Sequence, residues 1–132
     1  MTGETDLAKL IKGMKPELNP GQFVFCVVNT LRQAVELNPI CIFQEKEGVT
    51  VILPKTQADE NTLFYSAVCA WITLTVHSSL EAVGLTAAFS KTLTEANISC
   101  NVIAAYHHDH IFVPIKDAEH AMSVLFSLAK GE

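Results

Sequence analysis

The sequence predicts an α+β fold, with an antiparallel sheet that carries its helices mainly on one face. Three observations support this. From residue 67 onward the apolar pattern runs strand, helix, strand, strand, helix. The first half holds a hairpin signal of its own, "ICIFQEKEGVTVILP" (40–54), around the charged turn Lys46-Glu47-Gly48. Shifting the chain by 60 places lays "GVTVILP" (48–54) over "HDHIFVP" (108–114), so Val51, Ile52, Leu53 and Pro54 fall on Ile111, Phe112, Val113 and Pro114. The echo predicts two related lobes, the first degenerate, each completing the other's sheet.

The elements follow in order. "ETDLAKLIKGM" (4–14) sets Leu7, Leu10 and Ile11 at helical spacing, with Thr5 or Asp6 as cap. "PELNPGQ" breaks that helix with two prolines and a glycine. "FVFCVVN" is aromatic and β-branched enough for a buried strand over 23–28. "TLRQAVELN" is a short helical turn stopped by Pro39, and the hairpin gives strands over 40–45 and 49–53. "KTQADENTLFYS" is polar, a short helix or a loop. "AVCAWITLTV" predicts a central strand over 68–76, apolar on both faces. A helix over 83–97 presents Leu85, Ala88, Phe89, Thr92, Leu93 and Ala96 on one face. Strands over 99–106 and 110–115 form the second hairpin. A final helix over 117–130 is capped by Asp117, buries Ala121, Val124, Leu125 and Leu128, and ends at Gly131. This β-α-β-β-α order is most of a ferredoxin-like unit, which normally closes with one further strand. The expected division is 1–66 and 67–132.

Composition narrows the function classes. The 132 residues are 49% hydrophobic and 17% charged, with a net charge of −5. That apolar surplus, together with sheet edges that need covering, predicts a homo-oligomer, most simply a two-fold dimer. No basic patch invites nucleic acid. No apolar run reaches the roughly 18 residues a membrane span needs. The polar, acidic start "MTGETDLAKL" is unlike a signal peptide. Cys26, Cys41, Cys69 and Cys100 are widely spaced, without a Cys-x-x-Cys pair, which predicts free thiols and a cytoplasmic setting. No cofactor is expected.

Two stretches carry candidate chemistry. In "SSLEAVGL" (78–85), Ser78 and Glu81 fit a capping box, and Gly84 relieves crowding where the helix starts. The same loop would present free N–H groups and the positive dipole end to a carboxylate. Glu81 would meet a cation, and Gly84 would admit a ligand or a second subunit close to the backbone. In "YHHDHIFVP" (106–114), His107 and Asp109 alternate with His108 and His110 across a strand. One short hairpin aims three imidazoles at a single metal only with difficulty. The reading favoured by spacing is a polar turn in which Asp109 accepts hydrogen bonds from the turn backbone. A metal site, a pH sensor and a ligand contact through Asp109 are the other readings. His77 stands beside Ser78 and Ser79, but no nucleophile elbow or phosphate-cradling loop accompanies them.

Residues 69–130 resemble an ACT domain, the ferredoxin-like module that binds amino acids and regulates metabolic enzymes. "SSLEAVGL" looks like the binding loop, with Gly84 at the glycine position. "EANISCNVIAAY" looks like the exit into the second strand, and "DHIFV" like the start of the third. The serine-bearing loop with "DHIFVP" is closest to a bacterial stand-alone tandem ACT-like group, and is similar to the ACT repeats of eukaryotic cytosolic arginine sensors. The first half fits through "EKEGVTVIL" alone. Where the family often has Asp-x-Pro-Gly, this chain has Glu81-Ala82-Val83-Gly84. The resemblance implies a regulatory module without catalytic activity. It would bind a small molecule, an amino acid, at an interface between ACT-like units. The implied site residues are Ser78, Ser79, Leu80, Glu81, Val83, Gly84 and Leu85, with Asp109 as the acid that approaches the loop. Two other classes stay open: an interaction protein of the same fold that binds no metabolite, and a small enzyme using His107–His110.

Overall fold

The structure is a computed structural model and describes residues 6–75 and 83–131. In chain order the elements are α1 (Leu7–Gly13), β1 (Lys15–Leu18), β2 (Phe23–Val28), α2 (Leu31–Glu36), β3 (Cys41–Gln44), β4 (Val49–Pro54), α3 (Lys55–Glu60), β5 (Cys69–Thr75), α4 (Leu85–Glu95), β6 (Asn101–Ala104), β7 (Asp109–Pro114) and α5 (Ala118–Lys130). A single 3-10 turn, Ile115–Asp117, leads into α5. The chain divides into a unit of Gly21–Cys69, central in the sequence, and a flanking unit of Met1–Pro20 with Ala70–Glu132. All the strand registers observed are antiparallel.

In the central unit β4 pairs with both β2 and β3, giving the order β3–β4–β2. Strand alternation sends Val24, Cys26, Val28, Val49, Val51 and Leu53 to one face. There they join Ala34 and Leu37 from the α2 region and Ala58 of α3 in one core. The β3–β4 turn closes with Glu45 N–H donating to Gly48 O at 2.9 Å. A side chain at residue 48 would put its Cβ 2.8 Å from Val27 Cγ2, so the turn requires glycine for close approach. α2 starts with a complete capping box. Thr30 Oγ1 accepts from Gln33 N–H at 3.2 Å, and Gln33 Oε1 accepts from Thr30 N–H at 3.1 Å. The helix ends where Asn38 takes a left-handed φ of 47°.

The flanking unit repeats this plan. Its strand order is β1–β5–β7–β6, with Leu10, Met14, Ala70, Ile72, Leu74, Phe89, Ile111, Val113 and Leu125 in one core under α1, α4 and α5. The first helix of its βαββ run, α4, also ends on a left-handed asparagine, Asn97 at φ 60°. The Ile98 N–H then donates back to Leu93 O at 2.9 Å. β4 and β7 hold corresponding places 60 residues apart, and each ends at a proline, Pro54 and Pro114.

The closing strand that the β-α-β-β-α order lacks is β1, with Lys15 opposite Thr75 and Leu18 opposite Ile72. The sequence reading took this stretch as a helix breaker. Pro16 donates no hydrogen bond, but β1 ends the strand order, and an edge strand tolerates proline. α1 begins at Asp6, whose carboxylate accepts from Lys9 N–H at 3.1 Å.

Three local expectations change. α4 starts at Leu85 rather than 83, because Gly84 occupies the N-cap with a left-handed φ of 97°. Asp117 stands at the N-cap of α5, but its side chain makes no capping bond, and its carboxylate lies 3.8 Å from Lys116 Nζ. β5 is not apolar on both faces: Ala70, Ile72 and Leu74 enter the core, while Trp71, Thr73 and Thr75 alternate onto the other side. Among the described residues no helix is long and apolar enough to cross a membrane. Cys26, Cys41, Cys69 and Cys100 are free, and burial pushes the Cys100 thiol up to about 11.

Candidate functional site

The predicted loop is only partly visible. Ser78, Ser79, Leu80 and Glu81 lie outside the described residues. Val83 is 82% exposed, whereas Leu85 is buried in the core of the flanking unit. Gly84 between them has a structural reason to be glycine. Its φ of 97° is one that L side chains rarely adopt, and an added Cβ would sit 3.1 Å from Leu7 Cδ2 of α1. Leu7 thus covers the position where the ligand approach was expected.

The starts of α2 and α4 differ in chemistry. In α2 the Thr30–Gln33 capping box satisfies the helix entrance. In α4 the N-cap is Gly84, which has no side chain to offer, and the first intrahelical bond is Ala88 N–H to Gly84 O at 2.9 Å. The N–H groups ahead of Ala88 therefore have no partner within the helix.

Asp109 opens β7 opposite Ala104. The turn before it closes with Ala105 N–H donating to His108 O at 3.0 Å. Asp109 is thus a strand residue, and among the described residues no turn N–H donates to its carboxylate, contrary to the polar-turn reading. Strand directions place it further. Thr73 meets His110, and Trp71 stacks on Phe112 with ring centroids 6.3 Å apart, so β5 and β7 run in opposite directions. The start of β7 therefore lies at the end of β5, where the chain leaves toward 76–84. Burial pushes the half-buried Asp109 carboxyl up, with His110 acting weakly the other way. Among the described residues nothing pairs with it.

The histidines separate. His107 is exposed in the turn, and His120 is exposed on α5. His108 is partly buried, and its Nδ1 finds no partner among the described residues. His110 sits in β7, where Trp71 Nε1–H donates to its Nδ1 at 3.0 Å and Thr73 Oγ1 lies 3.2 Å from the same atom. Asn19, just beyond β1, donates through Nδ2 to Thr73 Oγ1 at 2.9 Å. Burial, then His108, lowers the proton affinity of His110, and Asp109 opposes them. Among the described residues no three His, Cys, Asp or Glu side chains gather as a metal cluster. The sequence reading missed Asn19, Trp71 and Thr73. The available signal was the alternation of Trp71, Thr73 and Thr75 in "WITLT".

An ACT domain model matches residues 2–70, and a second ACT domain model matches residues 66–127. Among solved structures, a protein of unknown function from Vibrio cholerae, described as a possible transport protein, is 48% identical. That match covers 95% of this chain and 97% of that one, at a TM-score of 0.86. The ligand-free regulatory subunit of aspartate kinase from Thermus thermophilus is 9% identical, over 86% of this chain and 95% of that one, with a TM-score of 0.59. The allosteric aspartate kinase of Clostridium acetobutylicum is 9% identical, over 91% of this chain and 35% of that one, with a TM-score of 0.65. The last two show likeness of fold. No curated protein matches the chain.

Proposed function

The chain belongs to the ACT domain family, and from that premise we propose that it is a regulatory protein that binds an amino acid and has no catalytic activity of its own. The ligand lies between the loop 78–85 and Asp109. One observation carries this: a half-buried carboxylate, without a partner among the described residues, stands at the strand end from which the chain leads to the start of α4, where Gly84 offers no side-chain cap. A zwitterion satisfies both, its carboxylate at the free N–H groups and its ammonium at Asp109. Ser78, Ser79, Leu80, Glu81 and Val83 complete the proposed contacts, and Glu81 is the second acid for a cation. The regulatory role named for the Thermus thermophilus subunit agrees with this reading.

A thermal-shift screen over the twenty amino acids tests it, because a ligand that binds only the folded state raises its stability. At least one amino acid is expected to raise the melting temperature; if none does, the ligand reading fails and the interaction-protein reading replaces it. With that amino acid, Asp109→Ala should weaken binding about tenfold to a hundredfold in calorimetric titration, the loss of one charge-assisted bond of roughly 1.5–3 kcal/mol. Unchanged affinity would remove Asp109 from the site.

We also propose a homo-oligomer, most simply a dimer, acting in a reducing cytoplasm that its free thiols suit. Val27 and Phe43, 64% and 66% exposed, flank Thr50 in one cross-strand row of the central unit. Light scattering at micromolar concentration should give about twice 14.4 kDa, and a uniform monomer would contradict it.

A further inference from the structure

Trp71 is the only tryptophan in the chain, and its indole nitrogen can only donate. The atom it meets at 3.0 Å, His110 Nδ1, must therefore accept, which leaves His110 neutral with its proton on Nε2. Thr73 Oγ1 accepts from Asn19 Nδ2, so its own proton is free to point at the same Nδ1, 3.2 Å away. Asn19 also donates to Trp71 O, through its backbone N–H at 2.9 Å and through Nδ2 at 3.2 Å. This chain of contacts runs from His110 to the residue directly after β1. β1 itself is a four-residue strand that contains a proline.

We propose that the Trp71–His110–Thr73–Asn19 network is a pH-sensitive latch on the Trp71 side chain: protonation of His110 breaks the indole's bond to it, while Asn19 keeps its hold on Thr73. The second proton can enter only at Nδ1, the atom that both donors face. An imidazolium has two donors and no acceptor, so no flip of the ring restores the Trp71 bond. Thr73 Oγ1, which has two lone pairs, then accepts from both His110 and Asn19.

The charged surroundings set the direction. On β7 the ionisable neighbour is Asp109, and in the turn before it His108, whose ring centroid is 6.2 Å from that of His110; His107 is 6.3 Å beyond His108. On β1 Glu17 pairs in register with Thr73, and Lys15 with Thr75. β6 offers Asn101, Val102, Ile103 and Ala104, and β5 carries no charged residue. Burial and His108 hold His110 below the ordinary histidine value of 6.5. The unfolded chain therefore takes up the proton first, and the latch's stabilisation is whole above pH 6.5 and lost as pH falls through the folded value. Asp109 is shifted up from the ordinary 3.8, so it contributes in the opposite sense: its stabilisation is present below that value and lost as pH rises through its folded one. Asp109→Asn removes that contribution as a control.

The test follows Trp71 fluorescence from about pH 8 to about pH 4.5, a range in which a shifted histidine titrates. One transition with a midpoint below 6.5 is expected, together with a matching titration of the His110 ring protons by NMR in the unaltered protein. His110→Gln should abolish the fluorescence transition, and Asp109→Asn should keep it. The Trp71 indole N–H should exchange about tenfold faster below the midpoint, while the Asn19 amide, bonded to Trp71 O, keeps its protection. The latch is overturned if the Trp71 transition persists in His110→Gln, if the ring protons titrate at a different pH, or if exchange of the indole N–H stays constant through the transition.

Discussion

Phe89→Ala is expected to lower stability by about 3–5 kcal/mol, a large part of what a domain of this size commands. Phe89 is fully buried, mid-way along α4. Leu85 and Leu93 stand one turn before and after it, and all three belong to the same cluster as Ile72 of β5, Ile111 of β7 and Leu125 of α5. Two strands and two helices meet in that cluster, so removal of the ring leaves a cavity that no single neighbour can fill by a rotamer change. Urea denaturation should show a lower midpoint with an unchanged slope, the sign of lost stability without a change in the exposed surface. Phe64→Ala is the matched control. Phe64 is 85% exposed, and its removal should stay within about 0.5 kcal/mol. If the two substitutions cost the same, the assignment of the core is wrong.

Gly84→Ala should cost about 1–3 kcal/mol, for two separable reasons. A φ of 97° strains any L side chain, and the new methyl would press on Leu7 Cδ2 at 3.1 Å. A double-mutant cycle with Leu7→Ala resolves them. Relief of the contact should recover part of the loss, and the strain should remain as a residue that Leu7→Ala cannot remove. Full recovery would mean that φ carries no cost at this position; no recovery would mean that Leu7 is not held against it. The outcome bears on function as well. Because Gly84 is already required by its backbone and by Leu7, lost binding in a Gly84 variant says little about ligand contact. Asp109, whose carboxylate supports nothing else among the described residues, is the informative position.

The sequence by itself determined the elements whose causes are local. The alternation in "GVTVILP" and "HDHIFVP", the helical spacing of Leu85, Phe89 and Leu93, and the stop at Gly131 are each set within a few residues of chain. The strands and helices they announce stand close to where they were expected. The residues of the proposed site, the loop 78–85 and Asp109, were chosen by residue type, because a glycine before a helix and an acid entering a strand are local features. Pairing partners were not legible. "KPEL" carries a proline and reads as a breaker, yet it closes the sheet of the flanking unit, because an edge position next to β5 asks for no N–H from Pro16. His110 read as part of a polar turn. Only the antiparallel register of β7 against β5 brings its Nδ1 to Trp71 and Thr73, and only β1 brings Asn19 to Thr73. The close approach at Gly84 was likewise set by Leu7, 77 positions earlier in the chain, which only the tertiary fold brings to it. Periodicity, caps and turns depend on short-range sterics and hydrogen bonds, which neighbouring residues specify. Strand register and buried polar networks depend on which distant segments meet, and that is settled when the apolar faces collapse into a common core.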